Sequence, residues 1–265
     1  MPIIDAHLHL WDLDRLHYHW LSPEDTLLYR NVTAAEVEPL LQKCGIDGAL
    51  LVEAANTSEE IGYMLELAAE HRWIKGVIGW ASVNDPPSAY VERLCGVRLP
   101  WLHSEADVVI PAVVREHGLA CDIIADAEAY PLVIKLAQAA PELTFVLAHF
   151  GLPRMTPDGA AAWAEQLAPV AALPNMVMKL SGHMTSADPR PLQAETLQRY
   201  VQEAVRLFGA ERLIYGSNYP ILLWAGTFED DSRLIHAACA DLPEAAQEAI
   251  FSGTATRVYR LEERD

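Results

Sequence analysis

The feature that most constrains how this chain can fold is a short apolar run that keeps returning. Runs rich in Val, Ile and Leu recur about every 25 to 35 residues, each separated from the next by a longer amphipathic stretch, as βα units require. Eight are present, at residues 3–7, 48–53, 76–80, 96–99, 120–124, 143–148, 176–180 and 212–216. Near-continuous apolar strands suit a parallel sheet buried on both faces. The intervening stretches carry helix punctuation. Thr33 and Glu36 form a capping box, Gly45, Gly118 and Gly209 stand where helices should stop, and Pro141 and Pro174 close helices ahead of strands. Eight such units in 265 residues predict a closed (β/α)8 TIM barrel, one domain over residues 1–265. An open doubly wound sheet is the alternative. It is disfavoured because no run is followed by a glycine-rich GxGxxG turn, and the first run leads into histidines instead.

Composition narrows the function. With 51% hydrophobic residues the chain can bury a large core, which excludes disorder, and no stretch reaches the roughly 20 apolar residues of a membrane span. A net charge of −18 without any run of Lys and Arg excludes nucleic acid as a partner. Cys44, Cys95, Cys121 and Cys239 are far apart and form no CxxC pair, so they read as reduced thiols. The chain opens without a basic segment leading into an apolar run, and the expectation is a cytoplasmic protein, either monomeric or a homo-oligomer, acting on a small molecule.

In a barrel the active site lies at the carboxyl ends of the strands, and that rule sorts the histidines. His71, His117 and His236 fall on helices and read as structural. His7, His9 and His149 end the first and sixth strands. His7 and His9 are two apart on an extended strand, so both side chains face one side, which suits imidazoles converging on a metal or a carbonyl. The spacing alone is weak, since His17 and His19 repeat it. Asp5 sits two residues deeper, placed to hold a histidine ring in one tautomer.

The segments Asp-Ala-His-Leu-His-Leu-Trp-Asp at 5–12, His-Phe-Gly-Leu-Pro at 149–153, Lys-Leu-Ser-Gly at 179–182 and Tyr-Gly-Ser-Asn-Tyr-Pro at 215–220 occur together and in order. With Gly96-Val97-Arg98 and Val258-Tyr259-Arg260-Leu261, the chain resembles the amidohydrolase superfamily along essentially its whole length. It is most similar to the amidohydrolase-related group of sugar-acid lactonases and pyrone dicarboxylate lactonase. The resemblance implies a hydrolase of small cyclic esters, with His7, His9 and His149 around the scissile carbonyl, with or without one divalent ion such as zinc. It also implies an Asp where this chain has Asn218. An amide has no lone pair basic enough to take a proton, so Asn218 is left to orient water, and any metal bound by the three histidines should be single and weakly held or absent.

Another group must then supply the base. Glu53, at the end of the second strand, is the first candidate, its alternative role being a partner to Arg98 or a histidine. His183 is the second, its alternative role being to line the pocket. Arg98 suits a substrate carboxylate or ring oxygen, with Asp122 as an alternative partner. Trp11, Trp80, Trp101 and Tyr219 are flat walls for a ring to stack on, or plain core. Loops at 17–30 and 100–107 should set specificity. Two further readings stay open: a binding protein that kept the pocket after losing the strand-eight carboxylate, and a related decarboxylase or hydratase on the same barrel.

Overall fold

A computed structural model describes residues 2–104, 107–186, 188 and 190–264. Glu105 and Ala106, within the second specificity loop, lie outside the described residues. Eight parallel strands follow one another in chain order: β1 (Ile4–Leu8), β2 (Gly48–Val52), β3 (Ile74–Trp80), β4 (Gly96–Arg98), β5 (Ala120–Ile123), β6 (Phe145–Leu147), β7 (Met176–Leu180) and β8 (Leu213–Tyr215). Each expected run overlaps one of them, with β1 ending one residue later and β3 starting two residues earlier than its run. The circle closes just beyond β8, where Leu8 and Tyr219 form a parallel bridge, so the protein is a (β/α)8 barrel.

The helical layer follows the punctuation. α1 (Ala34–Lys43) starts at Thr33, whose side chain accepts the Glu36 N–H, and ends just before Gly45. α2 (Glu59–Glu70), α3 (Ala112–His117), α4 (Tyr130–Ala139) and α5 (Ala160–Ala171) follow, with α3 stopped by Gly118 in the left-handed conformation. The short α6 (His183–Ser186) precedes α7 (Ala194–Phe208), α8 (Phe228–Cys239), α9 (Glu244–Glu248) and α10 (Thr254–Val258). One connection departs from the βα rule. Between β3 and β4 the described helical structure is a single 3-10 turn, Val91–Arg93, because Asn84, Asp85, Pro86 and Pro87 break any longer helix. Among the described residues no helix is long and apolar enough to cross a membrane.

Two cores result. Outward-facing strand residues such as Leu51, Val97, Leu147 and Met178 pack under the helices, while Ile4, Ala6, Leu50, Val52, Ile78, Val146, Val177 and Ile214 fill the barrel interior. Tyr259, just past α10, enters the interior from the amino-terminal end of the strands and donates to Asp122 Oδ1 at 2.6 Å. Asp122 Oδ2 takes Lys179 Nζ at 2.5 Å, both side chains being fully buried. The Asp122 carboxylate therefore belongs to this internal triad rather than to Arg98. Removing one member of a buried pair leaves the other charge uncompensated. Asp122→Ala should cost about 3–5 kcal/mol in urea unfolding, and adding Lys179→Met should recover part of that loss. A cost below about 1 kcal/mol would show that the triad is not what holds the interior.

Candidate active site

The site is built on an irregularity in β1. Ile4 and Asp5 pair with Gly48 and Ala49, but the next partner of Leu51 is Leu8, so β1 carries an extra residue there. Strict alternation from Ile4 and Ala6, both interior, would turn His7 and His9 outward. The bulge resets the phase, so Leu8 and Leu10 join the outer core and the rings of His7 and His9 meet inside, with centroids 5.0 Å apart. The His149 ring reaches the same place from the end of β6, 4.6 Å from His7. Two glycines make this approach possible. A Cβ on Gly216 would lie 2.7 Å from the His7 Cβ, and one on Gly182, at φ +64°, would lie 2.8 Å from His149 Nδ1.

Asp5 does not hold a histidine ring. Its Oδ1 accepts the backbone N–H groups of His7 (3.0 Å) and Ser217 (2.9 Å), which stitches β1 to the end of β8. Burial pushes its carboxyl up to about 7. In the same seam Asn218 N–H donates to His7 O and His9 N–H to Tyr219 O, each at 2.8 Å. Asn218, and the run His149, Phe150 and Leu152, hold positive φ of 53–63°, a conformation that non-glycine residues keep only where surrounding structure imposes it.

Above the histidines opens a cavity of about 310 Å³, the size of a small-ligand pocket. His9, His149, Asn218 and Arg98 supply its polar floor, with Asn56 beside them. Its walls are Trp20, Trp101 and Trp224, with Ala54, Ile124, Leu152 and Ile221. These three tryptophans are 40–45% exposed, and such large apolar rings at a cavity mouth mark a candidate binding surface. Trp20 is held by its indole N–H on Ala54 O (2.7 Å), and Trp224 by its own on Asp25 Oδ2 (2.7 Å).

The other candidate residues stand back from this lining. Leu50 and Val52 face the interior, so Glu53 leaves β2 on the other side, fully buried, with Arg98 Nε 3.3 Å from its Oε1 and Arg98 Nη1 donating to its backbone carbonyl at 3.1 Å. Its Oε2 accepts the Asn56 N–H at 2.8 Å. Burial pushes Glu53 up, although Arg98 opposes the shift. His183 is buried with its Nε2 3.0 Å from Asp231 Oδ1 on α8. Trp80 is not among the lining residues, and Trp11 is core, its indole donating to Arg30 O at 2.7 Å. Tyr219 packs on Phe228 and donates its hydroxyl to Glu36. Sequence reasoning missed Trp20, Trp224, Asn56 and Ile221. The signal for Trp20 was its place in the 17–30 loop.

The electrostatics keep the floor neutral. Burial, reinforced by Arg98, lowers His9 to about 3, and burial likewise holds His7 and His149 well below the usual imidazole value, with neighbouring histidines, Arg98 and Lys179 adding to it. Both His7 ring nitrogens lack a partner. The three imidazoles nevertheless do not fit a metal centre. Among the described residues no three His, Cys, Asp or Glu side chains stand in position to share an ion, strand eight offers an amide, and two cations border the cluster. This geometry defines a barrel with a small cavity at the carboxyl ends of its strands, floored by neutral imidazoles, an amide and one guanidinium.

The chain belongs to the amidohydrolase family, whose model matches residues 4–261. It is 31% identical to an L-fucono-1,5-lactonase of Burkholderia ambifaria over 98% of this chain and 96% of that protein. Among solved structures it resembles an amidohydrolase from Burkholderia multivorans in two crystal forms. One holds HEPES (27% identity, TM-score 0.86) and the other zinc (26% identity, TM-score 0.85), each covering 98% of this chain and 99% of that one.

The loop after β2 is tied down by a carboxyl from α2. Glu60 of α2 is buried and accepts the N–H groups of Ala54 and Ala55 at 2.7 and 2.9 Å, and burial, together with Glu53, pushes it up to about 8. Because its folded value lies above the usual 4.5, the folded state holds a proton that the unfolded state has released, so its contribution is lost as pH rises toward and through 8. The buried histidines act in the opposite sense, because their unfolded rings, near 6.5, lose their protons only by about pH 7.5, so the comparison with Glu60→Gln isolates the carboxyl. Urea unfolding between pH 6.5 and 8.5 should show the wild type losing stability relative to Glu60→Gln as pH rises. Parallel profiles would place the titration elsewhere.

Proposed function

We propose that this protein hydrolyses the ring ester of a small, uncharged lactone of the sugar-acid kind. The observation that carries this reading is the charge balance of the cavity. Among the described residues Arg98 is the charged side chain in its lining, with Glu53 paired to it from behind, while the rest of that lining is neutral imidazole, amide, indole and aliphatic. A dicarboxylate would bring charge that, among the described lining residues, no free cation meets. The likeness to an L-fucono-1,5-lactonase supports the same substrate class.

In this reading the ring stacks among Trp20, Trp101 and Trp224, and its carbonyl oxygen faces Arg98 and His149. Asn218, at the floor, orients the attacking water. The water oxygen bonds to the carbonyl carbon, the developing negative charge is met by the guanidinium and an imidazole N–H, and collapse breaks the bond to the ring oxygen, which takes up the proton. Glu53 acts by positioning Arg98, since it reaches the guanidinium and does not line the cavity. His183 acts through Asp231 to fix α6 against α8. No step passes through a metal, and metal held at this site is weak or nil. Four free cysteines, three of them buried, accord with a cytoplasmic setting.

A panel of sugar-acid 1,5-lactones and carboxylated lactones tests the reading. The wild type should favour the neutral compounds by at least about 100-fold in kcat/KM, and Arg98→Met should lose about 10²–10³-fold. Glu53→Gln should narrow the preference about tenfold by releasing the Arg98 charge for a substrate carboxylate. Equal turnover of both classes would refute the charge-balance argument, and no turnover of any lactone would favour a binding protein on the same barrel. Chelator treatment should leave both rate and melting temperature unchanged, and a protein that holds one ion tightly per chain would contradict the account of the floor.

A further inference from the structure

The two histidines on the cavity floor are held by different kinds of group. His9 Nδ1 lies 2.8 Å from the backbone carbonyl of Val52. A carbonyl only accepts, so Nδ1 carries the ring proton and Nε2 is left as a bare lone pair. His149 Nδ1 lies instead 3.0 Å from the hydroxyl of Ser181, which is fully buried. That oxygen already accepts the backbone N–H of His149 at 3.2 Å, and among the described residues its own proton has no other acceptor than His149 Nδ1. The hydroxyl therefore donates, Nδ1 accepts, and the His149 proton sits on Nε2. Both rings line the cavity. One presents an acceptor to it and the other a donor.

We propose that His9 Nε2 is the base that takes the proton of the attacking water, that His149 Nε2–H binds the carbonyl oxygen, and that Val52 O and Ser181 fix these opposite roles. The proposal deepens the lactonase reading and rests on it for the identity of the reaction. Its balance is complete. The water oxygen bonds to the carbonyl carbon as one water proton passes to His9 Nε2, giving an imidazolium that the resting site disfavours and that the oxyanion formed in the same step stabilises, with Nδ1 still donating to Val52 O. The carbonyl π pair becomes the oxyanion held by His149 and Arg98. Its return breaks the bond to the ring oxygen, and His9 gives its proton to that oxygen. Lactone and water become a hydroxy acid, and His9 is neutral again.

The assignment also gives Asn218 a role. Its side chain approaches the His9 ring. A carboxylate at that place would demand a proton on Nε2 as well, turning His9 into a resting cation unable to accept another. An amide leaves the lone pair free. The base has in this account moved from the strand-eight residue to the first-strand histidine beside it.

Long-range 1H–15N spectra of uniformly 15N-labelled protein at pH 7.5, without substrate, read the two tautomers directly, with His9→Gln and His149→Gln assigning the signals. The expected pattern is a protonated Nδ1 and bare Nε2 for His9 and the reverse for His149. Ser181→Ala should lose the His149 pattern and lower kcat about tenfold or more with KM little changed, and Ser181→Thr should restore both. The same tautomer in both rings overturns the proposal, as does Ser181→Ala with an unaltered His149 spectrum and unaltered kcat. If Ser181→Ala does not fold, the wild-type spectra decide alone. Because they are taken on the resting protein, they stand or fall independently of which lactone, if any, is turned over.

Discussion

Everything in this structure hangs on the seam where β1 meets the end of β8. Asp5 accepts from His7 and Ser217, His7 accepts from Asn218, and His9 donates to Tyr219, so the bonds that close the barrel are made by the residues of the site or their immediate neighbours. Closure and assembly are one event. The extra residue in β1 makes this work, because it turns two histidines inward from a strand whose first half is plain interior core. Bulges beside active sites commonly re-aim a side chain in this way. The seam is also where the backbone is held in the left-handed region at Asn218, so the Asn218 amide is placed by a conformation that the closed barrel enforces.

The second organising constraint is charge in a dry interior. Three sets of buried ionisable groups are matched: Asp122 with Lys179 and Tyr259, Glu53 with Arg98, and His183 with Asp231. What these pairings leave at the cavity floor is uncharged imidazole and amide, with a guanidinium whose charge is balanced from behind. In such a low-dielectric setting an oriented N–H is worth more than in water, while an unmatched charge is expensive. The same arithmetic explains why the walls are indole and aliphatic and why an uncharged ring suits them.

Much of the fold was legible in the sequence, because parallel strands buried on both faces must be nearly all apolar and because Gly, Pro and Thr mark helix ends by backbone geometry. The β3–β4 connection was less so, its prolines outweighing the βα period. Of the site, His7, His9, His149, Arg98 and Asn218 were visible as polar residues at strand ends. The direction of the first two was not, since nothing in Asp-Ala-His announces a bulge. Glu53 and His183 sit near the right end of the barrel, but their partners Arg98 and Asp231 come from distant strands and helices, and only tertiary packing decides that they turn away from the cavity. The tryptophan walls were hidden for the same reason. Trp20 and Trp224 come together from loops at opposite ends of the chain, whereas Tyr219, inside a recognisable motif, is turned into the core by its hydrogen bond to Glu36.

The central claim is that a neutral histidine floor with a balanced arginine receives the carbonyl of an uncharged lactone. A crystal structure with a lactam analogue of a sugar-acid 1,5-lactone, which keeps the carbonyl but resists hydrolysis, tests it most directly. The account predicts the ring among Trp20, Trp101 and Trp224, the carbonyl oxygen within hydrogen-bonding distance of His149 Nε2 and the Arg98 guanidinium, and a water between Asn218 and His9. A ring bound with its carbonyl turned to the indole walls, or an Arg98 drawn away from Glu53 to meet the ligand, would contradict it.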